Sequence, residues 1–243
     1  MVPKSLVSIL KVAVVAGVLA GAAAALFHSF FTEPVINRAI EMEERLNHSH
    51  HTNGDSGEEP VVSRRTQQIG LVIGFLLYGG AWGILFGILY YLIHPWFAPG
   101  GDAKGGFALA LILGWSVSIF PFLKYPANPP GVGAPETFAY RQGLYLGFIG
   151  LSLLGTFLAI RLHSLLVSKK SAVFIAPALY AAYLIAVYSV MPPNSEPIMI
   201  SSEVVWKFRS LSLAGLVLFW VVMAGIFVWK GGDLYGSNSK NFH

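Results

Sequence analysis

The chain has 243 residues, of which 55% are hydrophobic and only 12% charged, with a mean hydropathy of +0.63. That charged share is about half of what an ordinary globular chain carries, and the absence of cysteine excludes disulfides, thiolate nucleophiles, iron–sulfur clusters and cysteine-type zinc sites. The net charge of +4 does not point to nucleic acid, because the basic and aromatic residues gather at the ends of apolar runs, where they act as membrane anchors.

The apolar residues form six runs with few or no charges: Val12–Phe31, Ile69–Ile93, Phe107–Leu123, Gly143–Ile160, Ala172–Met191 and Leu211–Trp229. Each reaches the roughly 17 residues that a bilayer crossing needs. The chain therefore reads as an all-α polytopic membrane protein, with about six transmembrane helices in a compact bundle and one integral membrane domain over residues 1–243. Little mass remains outside the membrane. Neither a phosphate-binding loop nor a dinucleotide fingerprint occurs, and no nucleophile–base spacing stands out within the spans, so the chain does not read as an enzyme.

The first run follows Lys4 and Lys11 and is long for a signal peptide, so it is expected to stay as a helix. Beyond it, residues 32–68 are expected to form an acidic, histidine-rich extramembrane loop, mobile over 47–60, with ordered structure resuming near Arg64. If a helix continued past Arg45, then Glu41, Glu44, His48 and His51 would share one face at intervals of three, four and three. Oxygen and imidazole donors suit a divalent transition metal when thiolate is absent. His50 adjoins this set, and His28, near the end of the first span and about one helical turn from Glu33 (i, i+5), is the more buried candidate. Ordinary roles compete: Glu41 with Arg45 is a common helix pair, and histidines beside an Asn-Gly turn are often simply solvated.

Small-residue stripes at Gly17/Gly21, Gly70/Gly74, Gly79/Gly83/Gly87 and Gly143/Gly147 predict close helix approach. Between the third and fourth runs, prolines at 121, 126, 129, 130 and 135 are expected to forbid regular helix through much of the segment and to stiffen the connection. A re-entrant course and a stiff external turn both stay open for this segment. Lys124, Glu136 and Arg141 flank it, and Glu136 joins the candidate metal-facing residues. A second proline-rich connection, from Met191 to Pro197, leads to Glu203 and Lys207, expected to pair at i, i+4. Residues 230–243 are a polar tail.

Six spans place both termini on one side, and the acids are then sorted: ten lie opposite the termini and only Asp102 and Asp233 beside them. Lys169-Lys170 in a short turn favours a cytoplasmic location for both termini in a multi-pass cell-membrane protein.

The run from Phe30 to Glu41 (FFTEPVINRAIE), the proline-rich Lys124–Gly133 stretch, Arg141-Gln142, and Trp206 to Leu211 (WKFRSL) occur in the order of the landmarks of the CbtA family, and the chain resembles that family over most of its length. The resemblance implies a cobalt transporter subunit linked to cobalamin supply, with a small, single-span, histidine-bearing CbtB-like partner. On this reading the function is uptake of a divalent transition metal, cobalt(II) before nickel(II), carried as cargo with no permanently bound cofactor. The alternative is a structural or accessory subunit, as a homo-oligomer or within a larger membrane complex.

Overall fold

The computed structural model describes residues 5–50, 63–97, 103–166, 172–193 and 196–231. Its helices are α1 (Leu6–Phe27), α2 (Glu33–His50), α3 (Arg64–Phe97), α4 (Ala103–Gly114), α5 (Phe120–Lys124), α6 (Phe138–Leu166), α7 (Ala172–Val190) and α8 (Ser202–Gly231). Among the described residues five apolar helical stretches are long enough to cross a membrane, and a sixth, Phe174–Val190, is shorter. The architecture is an all-α polytopic membrane fold. The third run, Gly105–Lys124, is one of the long five; the short one is the fifth in chain order.

Two helical stretches are interrupted in the same way. Between α1 and α2 lies a π-turn, His28–Thr32, in which Glu33 N–H donates to His28 O; between α4 and α5 lies another, Trp115–Ile119, in which Phe120 N–H donates to Trp115 O. Each turn ends two residues before a proline, Pro34 or Pro121. A proline inside a helix has no N–H to donate and its ring presses on the carbonyl four residues back. Widening the preceding turn to i→i+5 bonding relieves that contact and lets the helix continue. Hence Pro121 lies inside the third span, as the apolar run Phe107–Leu123 has it, and irregular chain begins only at Tyr125. Likewise, the first rod runs on into α2 and reaches His50, inside the stretch expected to be a loop; residues 51–62 lie outside the described set.

The core is built on α1. Its Ala13, Ala16, Gly17, Ala20, Gly21 and Ala24 are buried on one face, and the Gly79/Gly83/Gly87 stripe of α3 lies against it. A Cβ added at Gly17 would overlap the Gly79 carbonyl, one at Gly21 the Phe75 carbonyl, and one at Gly83 would come 2.5 Å from Ala13 O. With no side chains between them, the two backbones meet directly, which favours dispersion contact where lipid removes any hydrophobic drive. α8 covers the next flank of α1 and packs on α4 through Phe219, Trp220, Met223 and Phe227, with Trp82 edge-on to Trp220 (5.1 Å) and Phe86 edge-on to Phe227 (4.8 Å).

The α6–α7 pair is joined to this core through hydroxyl groups. Ser116 Oγ and Tyr180 OH each lie 2.8 Å from Thr156 Oγ1, and Trp115 Nε1–H donates to Tyr180 OH at 3.1 Å. Thus the second π-turn carries the polar connection among α4, α6 and α7. At the other end, α2 lays Val35, Ala39 and Met42 against Val132, Ile200, Val204 and Val205, a separate apolar cluster formed by the proline-rich connections and the start of α8. The 41-residue Leu6–Leu46 rod spans ~60 Å at 1.5 Å per residue, about twice a hydrocarbon core. The α2 cluster accordingly belongs to the part of the rod that extends past the membrane.

The two remaining glycine stripes behave differently: a Cβ added at Gly70, Gly74, Gly143 or Gly147 would meet nothing within 4 Å. Gly17→Val and Gly79→Val are each expected to destabilise the fold by at least about 1–3 kcal/mol through overpacking. Gly74→Ala should leave the thermal midpoint in detergent unchanged or slightly raised, since glycine costs a helix interior roughly 0.5–1 kcal/mol relative to alanine. Thermal unfolding of the three variants, followed by tryptophan fluorescence, tests this order.

Candidate functional site

A cavity of about 1170 Å³ lies between α3, α6 and α8, bounded at one end by both proline-rich connections. Along α3 it runs from Leu71 to Tyr78, along α6 from Phe138 to Tyr145 and along α8 from Ser212 to Phe219. Each is two helical turns, ~10 Å. A third of its lining residues are Phe or Tyr, including Tyr78, Tyr125, Tyr140 and Tyr145, and Asn128, Thr137, Gln142 and Ser212 add polar side chains. Among its lining residues only His28, Arg141 and Glu196 carry titratable imidazole, guanidinium or carboxylate groups.

His28 enters this cavity because the first π-turn carries it. Its ring stacks on Phe75 (5.0 Å between centroids, 13° between planes), and Nδ1 is 2.8 Å from Thr32 Oγ1. The opposite edge of the ring abuts α8 at Gly215, where any Cβ would overlap Nε2. A side chain at 215 would therefore push the imidazole out of place. Glu33 turns elsewhere. It is buried in an ion pair with Arg64 (Oε1 to Nη2, 2.8 Å), accepts a longer bond from Gln68 Nε2 (3.3 Å), and lines a separate cavity of about 550 Å³ with Ser29 and Arg65. Arg64 Nε also donates to Asn37 Oδ1 at 3.0 Å, so this cluster ties the start of α3 to the start of α2.

The other sequence-derived candidates are dispersed. Glu41 and Glu44 are exposed on α2, and Glu136 is exposed on the short helical turn Pro135–Thr137. The side chains of His48 and His50, and all of His51, lie outside the described residues. Among the described residues no group of three or more His, Asp or Glu side chains is close enough to hold a metal ion. Glu203 and Lys207 are both exposed and unpaired, in contrast to the expected i, i+4 bridge, as are Glu41 and Arg45. Exposed pairs of long side chains gain little net, about 0–1 kcal/mol, so nothing holds either pair together.

The feature that sequence reading missed is the joint between the two proline-rich connections. Val132 and Ile198 form an isolated antiparallel bridge, Ala134 N–H donates to Glu196 Oε2 (3.1 Å), and Arg141 Nη2 donates to Ala134 O (3.2 Å). Arg141 Nε stands 3.6 Å from Glu196 Oε1, an ion pair beyond hydrogen-bond reach, and is otherwise buried without a partner. Gly133 has φ of +95°, and a Cβ there would come 2.5 Å from Arg141 Nη1, so only glycine leaves the guanidinium its seat. Tyr125 OH donates to Pro192 O (2.7 Å) and Arg209 Nη2 to Asn128 Oδ1 (2.8 Å), completing the end wall. Two proline-rich stretches, one with a lone glutamate and the other followed by an arginine, were the available signal.

The Thr137 hydroxyl, the Ala134 amide and then the Arg141 guanidinium hold the Glu196 carboxyl below the usual carboxylate range, against the opposing effect of burial. A lowered folded-state value stabilises the joint at pH values above the unfolded glutamate's ~4.3, and that contribution disappears as pH falls through the folded value. Hydrogen–deuterium exchange over residues 131–141 is expected to show protection at neutral pH that is lost in acid below about pH 4.3. Glu196→Gln should abolish that acid-dependent step while weakening protection at pH 7.

Neither the curated proteins nor the solved structures contain a match to this chain. A family model described as "Probable cobalt transporter subunit (CbtA)" matches residues 6–230, a range that includes both π-turns, the cavity and both proline-rich connections. The chain belongs to the CbtA family of probable cobalt transporter subunits.

Proposed function

We propose that this subunit provides the path by which cobalt(II) enters the cell, in support of cobalamin supply, and that the His28 cavity is the deepest binding point on that path. The observation that carries the reading is the cavity itself, which connects the proline-rich end of the bundle with an imidazole set within three spans. Glu41, Glu44 and Glu136, with His48, His50 and His51, form an anionic, weakly ligating approach that raises the local cation concentration. Glu33, held by Arg64, acts by keeping the His28 turn registered against α3. A single imidazole exchanges ligands readily, and release requires weak binding.

In this arrangement both termini face the cytoplasm and the acid-rich side faces outward. A small, single-span, histidine-bearing CbtB-like subunit completes the assembly, consistent with the description of the family as a transporter subunit. The chain contributes no reaction of its own and moves its cargo without a bound cofactor.

Radiocobalt accumulation in cells tests the reading. His28→Ala is expected to lower uptake by roughly tenfold, the lower end of what loss of a group tuning a metal site brings, with unchanged abundance in the membrane. Glu33→Gln should reduce uptake less and also lower thermal stability, because it weakens the Arg64 tie. Unchanged accumulation in His28→Ala at equal abundance would overturn the assignment.

A further inference from the structure

We propose that the second cavity, a groove of about 550 Å³ between the first π-turn and the start of α3, holds one anionic phospholipid, with Arg65 on its phosphate and an acyl chain laid along α3. The site does not depend on which ion the chain carries.

The depth of the groove in the membrane follows from α3. The apolar stretch Arg64–Ile93 has 30 residues and is ~45 Å long at 1.5 Å per residue, which matches a bilayer measured with its headgroup layers, roughly 40–45 Å. Arg65 therefore stands among the headgroups of the leaflet on the α2 side. Exposed Trp206 and Tyr140, close to the starts of α8 and α6, mark the same boundary. Ile69, Val72 and Ile73 follow Arg65 on one face of α3, ~6–12 Å deeper, where acyl chains lie.

The charge at this level is positive. Within the first two turns of α2 and of α3, Arg38, Arg64 and Arg65 stand against one acid, Glu33. Arg64 is engaged by Glu33, Asn37 and Gln67, whereas Arg65, which also lines the groove, has no ion-pair or hydrogen-bond partner among the described residues. A phosphodiester offers the oxygens that a guanidinium can meet with two parallel N–H bonds. Net negative charge on the lipid suits the arginine excess, while a zwitterionic headgroup would bring an ammonium of its own toward the same cations.

The groove is graded to match. Arg65 and Gln68 on α3, with exposed Ser29 on the facing π-turn, supply polar atoms, and Ile69, Val72 and Ile73 supply the apolar wall. Its volume accommodates a headgroup and the upper part of one chain, and the rest of the lipid lies against open bilayer. Exposed Phe30 and Phe31 border it from the same turn as Ser29. A headgroup that bridges Ser29 and Arg65 ties this turn to α3 beside the Glu33–Arg64 pair.

The test uses the full chain in detergent, titrated separately with dioleoyl phosphatidylglycerol, with phosphatidylcholine of the same chains, and with water-soluble glycerol 3-phosphate. Native mass spectrometry counts the molecules retained, and the lipid-dependent rise of the thermal midpoint gives relative affinity. One phosphatidylglycerol is expected to stay bound at concentrations where phosphatidylcholine does not. Arg65→Gln should weaken it at least about tenfold, equivalent to about 1.4 kcal/mol. Val72→Trp, which fills the groove below the headgroup, should weaken it comparably with Arg65 in place. Both side chains are exposed, so the lipid-free midpoint of each variant should equal that of the unaltered chain. Equal retention of the two lipids, or no retention of either, would overturn the proposal. So would glycerol 3-phosphate binding as tightly as the lipid, which marks a small-anion site, or an effect of only one of the two substitutions or of neither, which marks ordinary contact with surrounding lipid.

Discussion

The direct backbone contact between α1 and α3 is the constraint on which the remaining architecture depends. Gly17 and Gly21 meet Gly79, Gly83 and the Phe75 carbonyl with no side chain between them. The observed register sets Phe75 beside His28 and brings Arg64 to Glu33. Sliding α3 by a turn would keep a glycine opposite Gly17, because the stripe repeats every four residues, but would part Phe75 from His28 and separate the ion pair. α8 is then placed by the remaining flank of α1, and Gly215 comes opposite the imidazole. Close packing of the first, second and last spans therefore positions the one imidazole in the cavity wall.

Proline supplies the second constraint. Pro34 and Pro121 each follow a widened turn that lets a helix pass a residue unable to donate its backbone N–H. One widened turn aims His28 into the cavity, and the other presents Ser116 and Trp115 to Thr156 and Tyr180. The latter connection fixes the α6–α7 pair against α4 with hydroxyls, at a distance from α3 that leaves the space between α3 and α6 open. The end wall closes through Glu196, Arg141 and the Val132–Ile198 bridge, where the other prolines keep two irregular segments stiff enough to pair. The cavity thus has a charged joint in its end wall and aromatic rings along its helical walls.

Much of this was legible one residue type at a time. Spans follow from apolar length, and the Gly17/Gly21 and Gly79/Gly83/Gly87 stripes followed from their four-residue spacing. Yet Gly70/Gly74 and Gly143/Gly147 have the same spacing and touch nothing, because a small-residue stripe says that a neighbour can approach and not that one does. Glu33 and His28 looked like partners from their separation in sequence, but the widened turn between them directs one to Arg64 and the other to the cavity. That the third run passes Pro121 was legible from apolar length, but the i→i+5 turn that admits the proline depends on geometry that no residue count reveals. Glu196 counted only as one of ten acids on a face; its partners Ala134 and Arg141 lie more than fifty residues earlier in the chain.

The amino-acid sequence by itself determined the membrane class, the positions of the long spans and the family resemblance. Those properties reside in consecutive residues or in their helical spacing, and the bilayer enforces them locally by requiring apolar side chains and internally bonded backbone. Tertiary structure alone decided which glycine stripes pack, that Glu33 is held by arginine, and that the two proline-rich segments join. It also decided that an aromatic cavity forms around a single imidazole, because that space is bounded by side chains from α3, α6, α8 and the first π-turn, brought together only when the helices choose their neighbours.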